Sequence, residues 1–234
     1  MNILAIETST LYVSIAISRD KNIVAAVTIK VKKTHSEQLL PMVNEMLDQI
    51  NMTRNDLSGI AVTIGPGSFT GLRIGLSTAK GLCFGLNIPL YVTSTLKCIA
   101  NNIYQVSSQV CVLMDAGRGD FYFAIYSSSL HEVHEPAIGT LDQIIKLIGD
   151  VDTIFIGPAV LHIRQEILNT SDTLNLARDI DCYPRAASLI DIIQHNKGFT
   201  LLNSQEIISA EPLYIRKSAA EENVIKTKIQ NNRK

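Results

Sequence analysis

The chain is short of charge. Charged residues make up 18% of it, and 21 basic against 22 acidic side chains leave a formal net charge of −1. A free-standing nucleic-acid binder carries a positive excess to meet phosphates. A self-sufficient RNA-binding module is therefore disfavoured, and any work on RNA is expected to borrow its basic surface. Cysteine is scarce too: Cys83, Cys98, Cys111 and Cys182 form no C-x-x-C pair. That excludes a common zinc knuckle or redox pair and fits buried thiols in a reducing cytosol. No apolar run reaches the roughly 18 residues that a membrane span needs. Met1–Glu7 lacks a basic start and meets an acid early, so it is not expected to be a secretory leader. No G-x-S-x-G elbow is present, and no Cys or Ser has an evident His partner. What remains is 234 residues, 46% of them hydrophobic, enough for one large domain or two small ones with a real core.

The pattern reads as a three-strand meander, Ile3–Ile6, Tyr12–Ser18 and Ile23–Val31, separated by short polar turns. A helix follows. Thr34 and Glu37 fit a capping box, and Leu39, Val43, Met46 and Ile50 recur at helical spacing, with Leu40 and Leu47 beside them. Pro41 inside this run should tighten or kink the first turns. A buried strand over Ser58–Ile64 ends at Gly65-Pro66-Gly67, and a helix runs over Ser68–Gly85, capped by Ser68 or Thr70. Each mid-helix glycine costs about 1 kcal/mol relative to alanine, so Gly71, Gly75, Gly81 and Gly85 imply close approach to another element. Beyond a short strand at Leu90–Val92 and a helix at Ser94–Ile103, the pattern restarts. Val110–Asp115 ends in an acid as Ile3–Glu7 does, a turn covers Ala116–Gly119, and Phe121–Tyr126 returns. Helices near Leu141–Ile148, Leu161–Leu168 and Ala186–His195 and a strand at Thr153–Ile156 complete the reading. Two lobes related by duplication are expected, residues 1–105 and 106–234, with a frayed basic tail from Arg216 to Lys234.

Gly65-Pro66-Gly67-Ser68-Phe69-Thr70-Gly71 fits either an anion-binding helix start or a tight strand-to-helix turn whose glycines serve geometry alone. It is no Walker loop, because no Gly-Lys-Ser/Thr follows. Glu7 could orient a metal-bound water, but a solvated turn acid is the preferred reading, and the same holds for Asp115 and Asp120. His35 and Glu37 read as helix-start residues. His131 and His134, among Glu132 and Glu135, read as an exposed loop.

The run Gly65-Pro66-Gly67-Ser68-Phe69-Thr70-Gly71-Leu72-Arg73-Ile74-Gly75 resembles the signature of the bacterial TsaB (YeaZ) family. Ile3–Ser9, His35–Pro41, Asp115–Tyr122 and Pro212–Arg216 agree with it, although Gly117 stands where that hairpin usually has an arginine. The resemblance implies the α/β, two-lobed fold of actin, Hsp70 and sugar kinases, each lobe a mixed sheet with helices. It implies a part in forming threonylcarbamoyladenosine at position 37 of tRNAs that read codons starting with A. The related TsaD carries the metal and transfers the group, a TsaE-like ATPase joins, and TsaB-like proteins pair with TsaD. The catalytic relative's H-x-x-x-H motif falls where this chain has His35 and Leu39, and its Gly-Gly adenosine turn where this chain has Gly157-Pro158-Ala159.

The leading expectation is a cytoplasmic scaffold with no catalytic or metal residues of its own. It binds a TsaD-like partner through Leu39, Leu40, Val43, Met46 and Leu47 of one helix and Leu72, Gly75, Leu76 and Ala79 of the next. That small-residue face is expected to turn outward, and would also permit a homodimer. Glu7, Thr8, Ser9, Gly65, Gly67, Ser68 and Asp115 mark a vestigial or interface nucleotide site, with ATP or ADP held only in the assembled complex. tRNA is met only through the complex, and no membrane is involved. The rivals are an independent ATPase or kinase-like enzyme and a metallopeptidase, the latter opposed by the missing paired histidines.

Overall fold

The computed structural model describes residues 1–31, 35–103, 106–170 and 173–216. The expected Thr34 cap, residue 105 at the expected lobe boundary and all of the basic tail beyond Arg216 lie outside them. Strands β1 (Ile3–Glu7), β2 (Tyr12–Arg19) and β3 (Asn22–Lys30) form the meander, with Leu4 opposite Ile17 and Ile15 opposite Val27. Asp20 and Lys21 both take positive φ at the β2–β3 turn, the geometry that suits the twist of a tight hairpin. Helix α1 (His35–Gln49) crosses to β4 (Gly59–Thr63), which lies parallel to β1, and α2 (Phe69–Leu86) leads to β5 (Leu90–Thr93), parallel to β4.

After α3 (Thr95–Ala100) the same plan repeats. Strands β6 (Gln109–Gly117), β7 (Asp120–Tyr126) and β8 (Glu132–Gly139) form a second meander, and α4 (Leu141–Ile148), β9 (Thr153–Ile156), α5 (Val160–Leu168) and β10 (Leu174–Leu176) follow. Strand order is β3-β2-β1-β4-β5 in one sheet and β8-β7-β6-β9-β10 in the other. The duplication read from two acid-ended strands is thus present in the topology. The stretch with His131 and His134 is not the expected loop. Most of it is β8, where His134 stacks on Phe123 with ring centroids 5.0 Å apart.

The last elements return to the first sheet. Helix α6 (Ala186–Gln194) precedes β11 (Thr200–Leu202), which pairs with β5, and α7 (Ser204–Ser209) packs on α2. Residues 186–209, expected in the second lobe, therefore pack largely on the first. Strand periodicity explains how. Leu4 and Ile6 of β1 face Leu39, Val43, Leu47 and Leu76 of α1 and α2, while Ile3 and Ala5 face Leu189, Ile190 and Ile193 of α6. Small residues at Ala5, Ala16 and Ala61 let α6 lie close on that face. Conversely, Leu96 and Ile99 of α3 pack against Val110, Val112 and Tyr126 of the second sheet. Helices α3 and α6 thus form the layer between the sheets, each packing mainly on the sheet whose strand follows it in the chain. Each buried Leu or Ile here contributes about 1.5–3 kcal/mol. All four cysteines are buried thiols.

Candidate functional site

The glycine run follows β4 directly. Gly65 sits at φ +120°, a conformation side chains rarely adopt, and its carbonyl accepts the Thr95 N–H at 2.7 Å. The Ser68 N–H donates to the Ser9 carbonyl at 2.7 Å, and the Ser68 hydroxyl caps α2 by accepting the Gly71 N–H at 3.2 Å. A Cβ at position 71 would overlap the Thr8 carbonyl oxygen, and one at 75 would overlap Thr8 Oγ1. The Thr8 hydroxyl in turn donates to the Gly71 carbonyl at 2.8 Å. The glycines therefore let α2 lie directly on the turn after β1, and the geometric reading of the motif accounts for them.

Glu7 is only 1% exposed, so it is not the solvated turn acid expected from the sequence. One carboxylate oxygen accepts the Ser9 N–H and the other the Thr63 hydroxyl, both at 2.5 Å. Burial raises its pKa, and the Ser9 and Thr63 hydrogen bonds pull the other way. Asp115, its counterpart in the second lobe, is exposed and accepts the Gly117 N–H at 2.7 Å, closing the β6–β7 turn. Glu7 is thus held between its own turn and Thr63 of β4, and Asp115 closes its own turn. Among the described residues no cluster of His, Cys, Asp or Glu could hold a metal ion. His35 lies at the start of α1 with Nε2 3.0 Å from the Thr10 carbonyl oxygen.

The two helices expected to meet a partner are turned differently from the expectation. Leu39, Val43, Leu47, Leu72, Gly75, Leu76 and Ala79 are all buried within their own lobe. Met46 is half-buried against the sheet, and of the nine residues only Leu40 is exposed. The reason is the α2–Thr8 contact, which claims the Gly71–Gly75–Ala79 stripe. The outward stripe is instead Ser77, Gly81 and Gly85, again at four-residue spacing, with Phe84 half exposed beside it. Nothing lies within 4 Å of where a side chain at Gly81 or Gly85 would begin. Lys80 reaches α7, donating to the Ile208 and Ala210 carbonyls at 2.8 and 3.0 Å.

Pro212–Arg216 forms a strap between the lobes that sequence reading left without a role. The Leu213 N–H donates to the Ile64 carbonyl at 2.6 Å, at the root of the glycine run. The Tyr214 ring stacks on Phe69 with centroids 4.8 Å apart, and its hydroxyl accepts from Arg73 Nε at 2.9 Å. Arg216 then reaches the second lobe's hairpin, donating to the Ala116 and Gly117 carbonyls at 2.6 and 3.0 Å and pairing with Asp120. Gly117, at φ +76°, presents its backbone to that arginine.

Comparison with known proteins fits this arrangement. The model of the family described as "TsaD: tRNA N6-adenosine threonylcarbamoyltransferase" matches residues 22–224. The "tRNA threonylcarbamoyladenosine biosynthesis protein TsaB" of Bacillus subtilis (strain 168) is 39% identical over 126 residues, 54% of this chain and 55% of that protein. The chain belongs to this family, in its TsaB (YeaZ) branch. The protein of the same description from Buchnera aphidicola subsp. Acyrthosiphon pisum is 27% identical over 212 residues, covering 86% of this chain and 95% of that one. The chain spans about half the length of the Bacillus relative and of the similarly described Escherichia coli (strain K12) protein, 36% identical over 128 residues and matched over 55% of its length. The structure of "YeaZ from Pseudomonas aeruginosa" superposes with a TM-score of 0.76 at 22% identity, over 91% of this chain and 99% of that one. That likeness shows the fold: two actin-like lobes, each a mixed sheet with helices.

Proposed function

We propose that this TsaB-family chain acts in tRNA threonylcarbamoyladenosine biosynthesis as a scaffold that binds and activates a TsaD-like subunit. The observation that carries the reading is the outer face of α2, where Ser77, Gly81 and Gly85 leave the backbone open and Phe84 offers an apolar anchor. A helix of the partner approaching that groove would bury Phe84 and pack against glycine backbone; exposed Leu40 of α1 extends the apolar surface. The same face would serve a homodimer when the partner is absent. Glu7, held by Ser9 and Thr63, and the glycine run, packed on Thr8, support a chain without nucleotide chemistry of its own. In this reading the partner performs transfer to adenosine 37 of tRNAs reading codons that start with A. A TsaE-like ATPase and any ATP or ADP join only in the assembled cytoplasmic complex, and tRNA is met through the complex, in keeping with the near-neutral charge.

The test is co-purification with the TsaD-like protein of the same cell. Gly81→Leu should hold the helices apart by an overpacking cost of about 1–3 kcal/mol. A tenfold loss needs only about 1.4 kcal/mol. Normal binding by a well-folded Gly81→Leu protein would remove this face from the interface. Micromolar binding of ATP and Mg²⁺ by the isolated chain would replace the scaffold reading with that of an independent enzyme.

A further inference from the structure

A cleft of about 750 Å³ lies between the β5–β11 edge of the first sheet and the β7–β8 turn of the second. That volume suits a metabolite-sized ligand. Its walls include Ser94 at the end of β5, Ser129 and His131 of the turn, and His195 and Gly198 of the α6–β11 connection, with Lys97 of α3 among them.

Lys97 is unusual there. Lysines ordinarily run their stems along apolar surface and deliver the ammonium to water. This one is 8% exposed, and among the described residues its ammonium has neither a hydrogen bond nor an ion pair. Its Nζ lies 5.8 Å from the centre of the Tyr126 ring. Two other cations beside the cleft, Lys197 and His195, both pair with Asp191, at 2.8 Å and 3.0 Å. Glu132, on the cleft's rim, acts on Lys97 only through space. Burial pushes the Lys97 pKa below its usual value, with Glu132 opposing. Position 198 is built around the amine, since a side chain there would overlap Nζ, and glycine also meets the backbone's φ of +87°. A buried, unpaired cation is costly, and an anion placed on it would recover much of that cost.

We propose that this cleft binds a small anionic metabolite, its carboxylate or phosphate seated on Lys97 and its body against Ser94, Ser129 and His131. Such a ligand spans both lobes. Glu132 on the rim disfavours polyanions and so selects for one or two negative charges.

The experiment titrates the full chain separately with malonate and with inorganic phosphate, followed by ¹H–¹⁵N spectra and thermal melting. Saturable shifts at Ser94, Ser129 and Gly198, with a melting temperature that rises with anion concentration, are expected for at least one probe. A preference for malonate assigns a carboxylate ligand, and a preference for phosphate a phosphorylated one. Lys97→Met keeps the stem and removes the charge. It should bind at least tenfold more weakly without loss of stability, whereas Lys146→Met on exposed α4 should bind normally. Ser129→Asp, at an exposed turn position, should weaken binding by repulsion and serves if Lys97→Met does not fold. The proposal is overturned if neither probe gives saturable shifts at millimolar concentration, or if the shifts persist unchanged in Lys97→Met or Ser129→Asp.

Discussion

Two glycines six residues apart on α2 should respond in opposite directions to the same added methyl group. Gly81→Ala adds a Cβ into open space, and alanine is better than glycine in a helix by about 0.8–1.0 kcal/mol. The variant should be stabilised by about that amount, which in a chain of this size raises the melting temperature by about 2–4 °C. Gly75→Ala gains the same propensity but drives its Cβ into Thr8 Oγ1, with Thr8 Cβ 3.5 Å and Cγ2 3.7 Å away. Thr8 is 1% exposed and β-branched, so its side chain cannot swing aside cheaply. Rotating it breaks the 2.8 Å bond to the Gly71 carbonyl and strands a buried hydroxyl, a cost of about 1–3 kcal/mol. Shifting the helix instead costs roughly 1–3 kcal/mol in overpacking. The cheaper of the two routes sets the cost at about 1–3 kcal/mol, so after the propensity gain Gly75→Ala should be about 0–2 kcal/mol less stable than the wild type and about 1–3 kcal/mol less stable than Gly81→Ala. Thermal melts of the isolated chain by circular dichroism decide the matter, because no partner is needed. A Gly75→Ala protein as stable as Gly81→Ala would refute the packing of α2 on the β1 turn, and with it the assignment of the outward face.

Further outcomes follow from buried charge and from the strap. Because the folded-state pKa of Glu7 is raised, its protonated form favours folding; that stability is complete below the ordinary carboxyl value and declines as pH rises through the raised one. Glu7→Gln keeps the geometry without the charge, so its stability relative to wild type should increase from acid to neutral pH in urea titrations, and a flat difference would contradict the burial argument. Arg216→Ala should cost roughly 1–2 kcal/mol, less than fully buried charged hydrogen bonds because both Arg216 and Asp120 are partly exposed. An unchanged melting temperature would show that the strap does not tie the lobes. Burial pushes the Cys83 thiol up to about 12 and raises the other three, so Ellman's reagent at mildly alkaline pH should label thiols only as the chain unfolds. A fast-reacting thiol in the folded protein would count against that.

Sequence by itself determined the elements that depend on local chemistry. Alternating and continuous apolar runs marked β1, β2, β3, β6 and β7, a serine after glycine marked the start of α2, and the two acid-ended strands announced the repeated lobe. β8 escaped because its alternation is diluted by Glu132, His134 and Glu135, which a strand at the sheet edge can expose. The short strands β10 and β11, of three residues each, carry too little pattern to read. Tertiary structure alone decided which face of α2 is outside. The helix has small residues at four-residue spacing twice, Gly71–Gly75–Ala79 and Ser77–Gly81–Gly85, and helical periodicity treats both as grooves. Leu72, Leu76 and Cys83 on the first arc hinted at the core side. Only the arrival of Thr8, 63 residues upstream of Gly71, made one groove a buried contact and left the other open. The fates of Glu7 and of Lys97 were settled the same way. A carboxylate becomes buried and raised, and an amine becomes unpaired in a cleft, through neighbours brought together from distant parts of the chain, and no local pattern of residues encodes those neighbours.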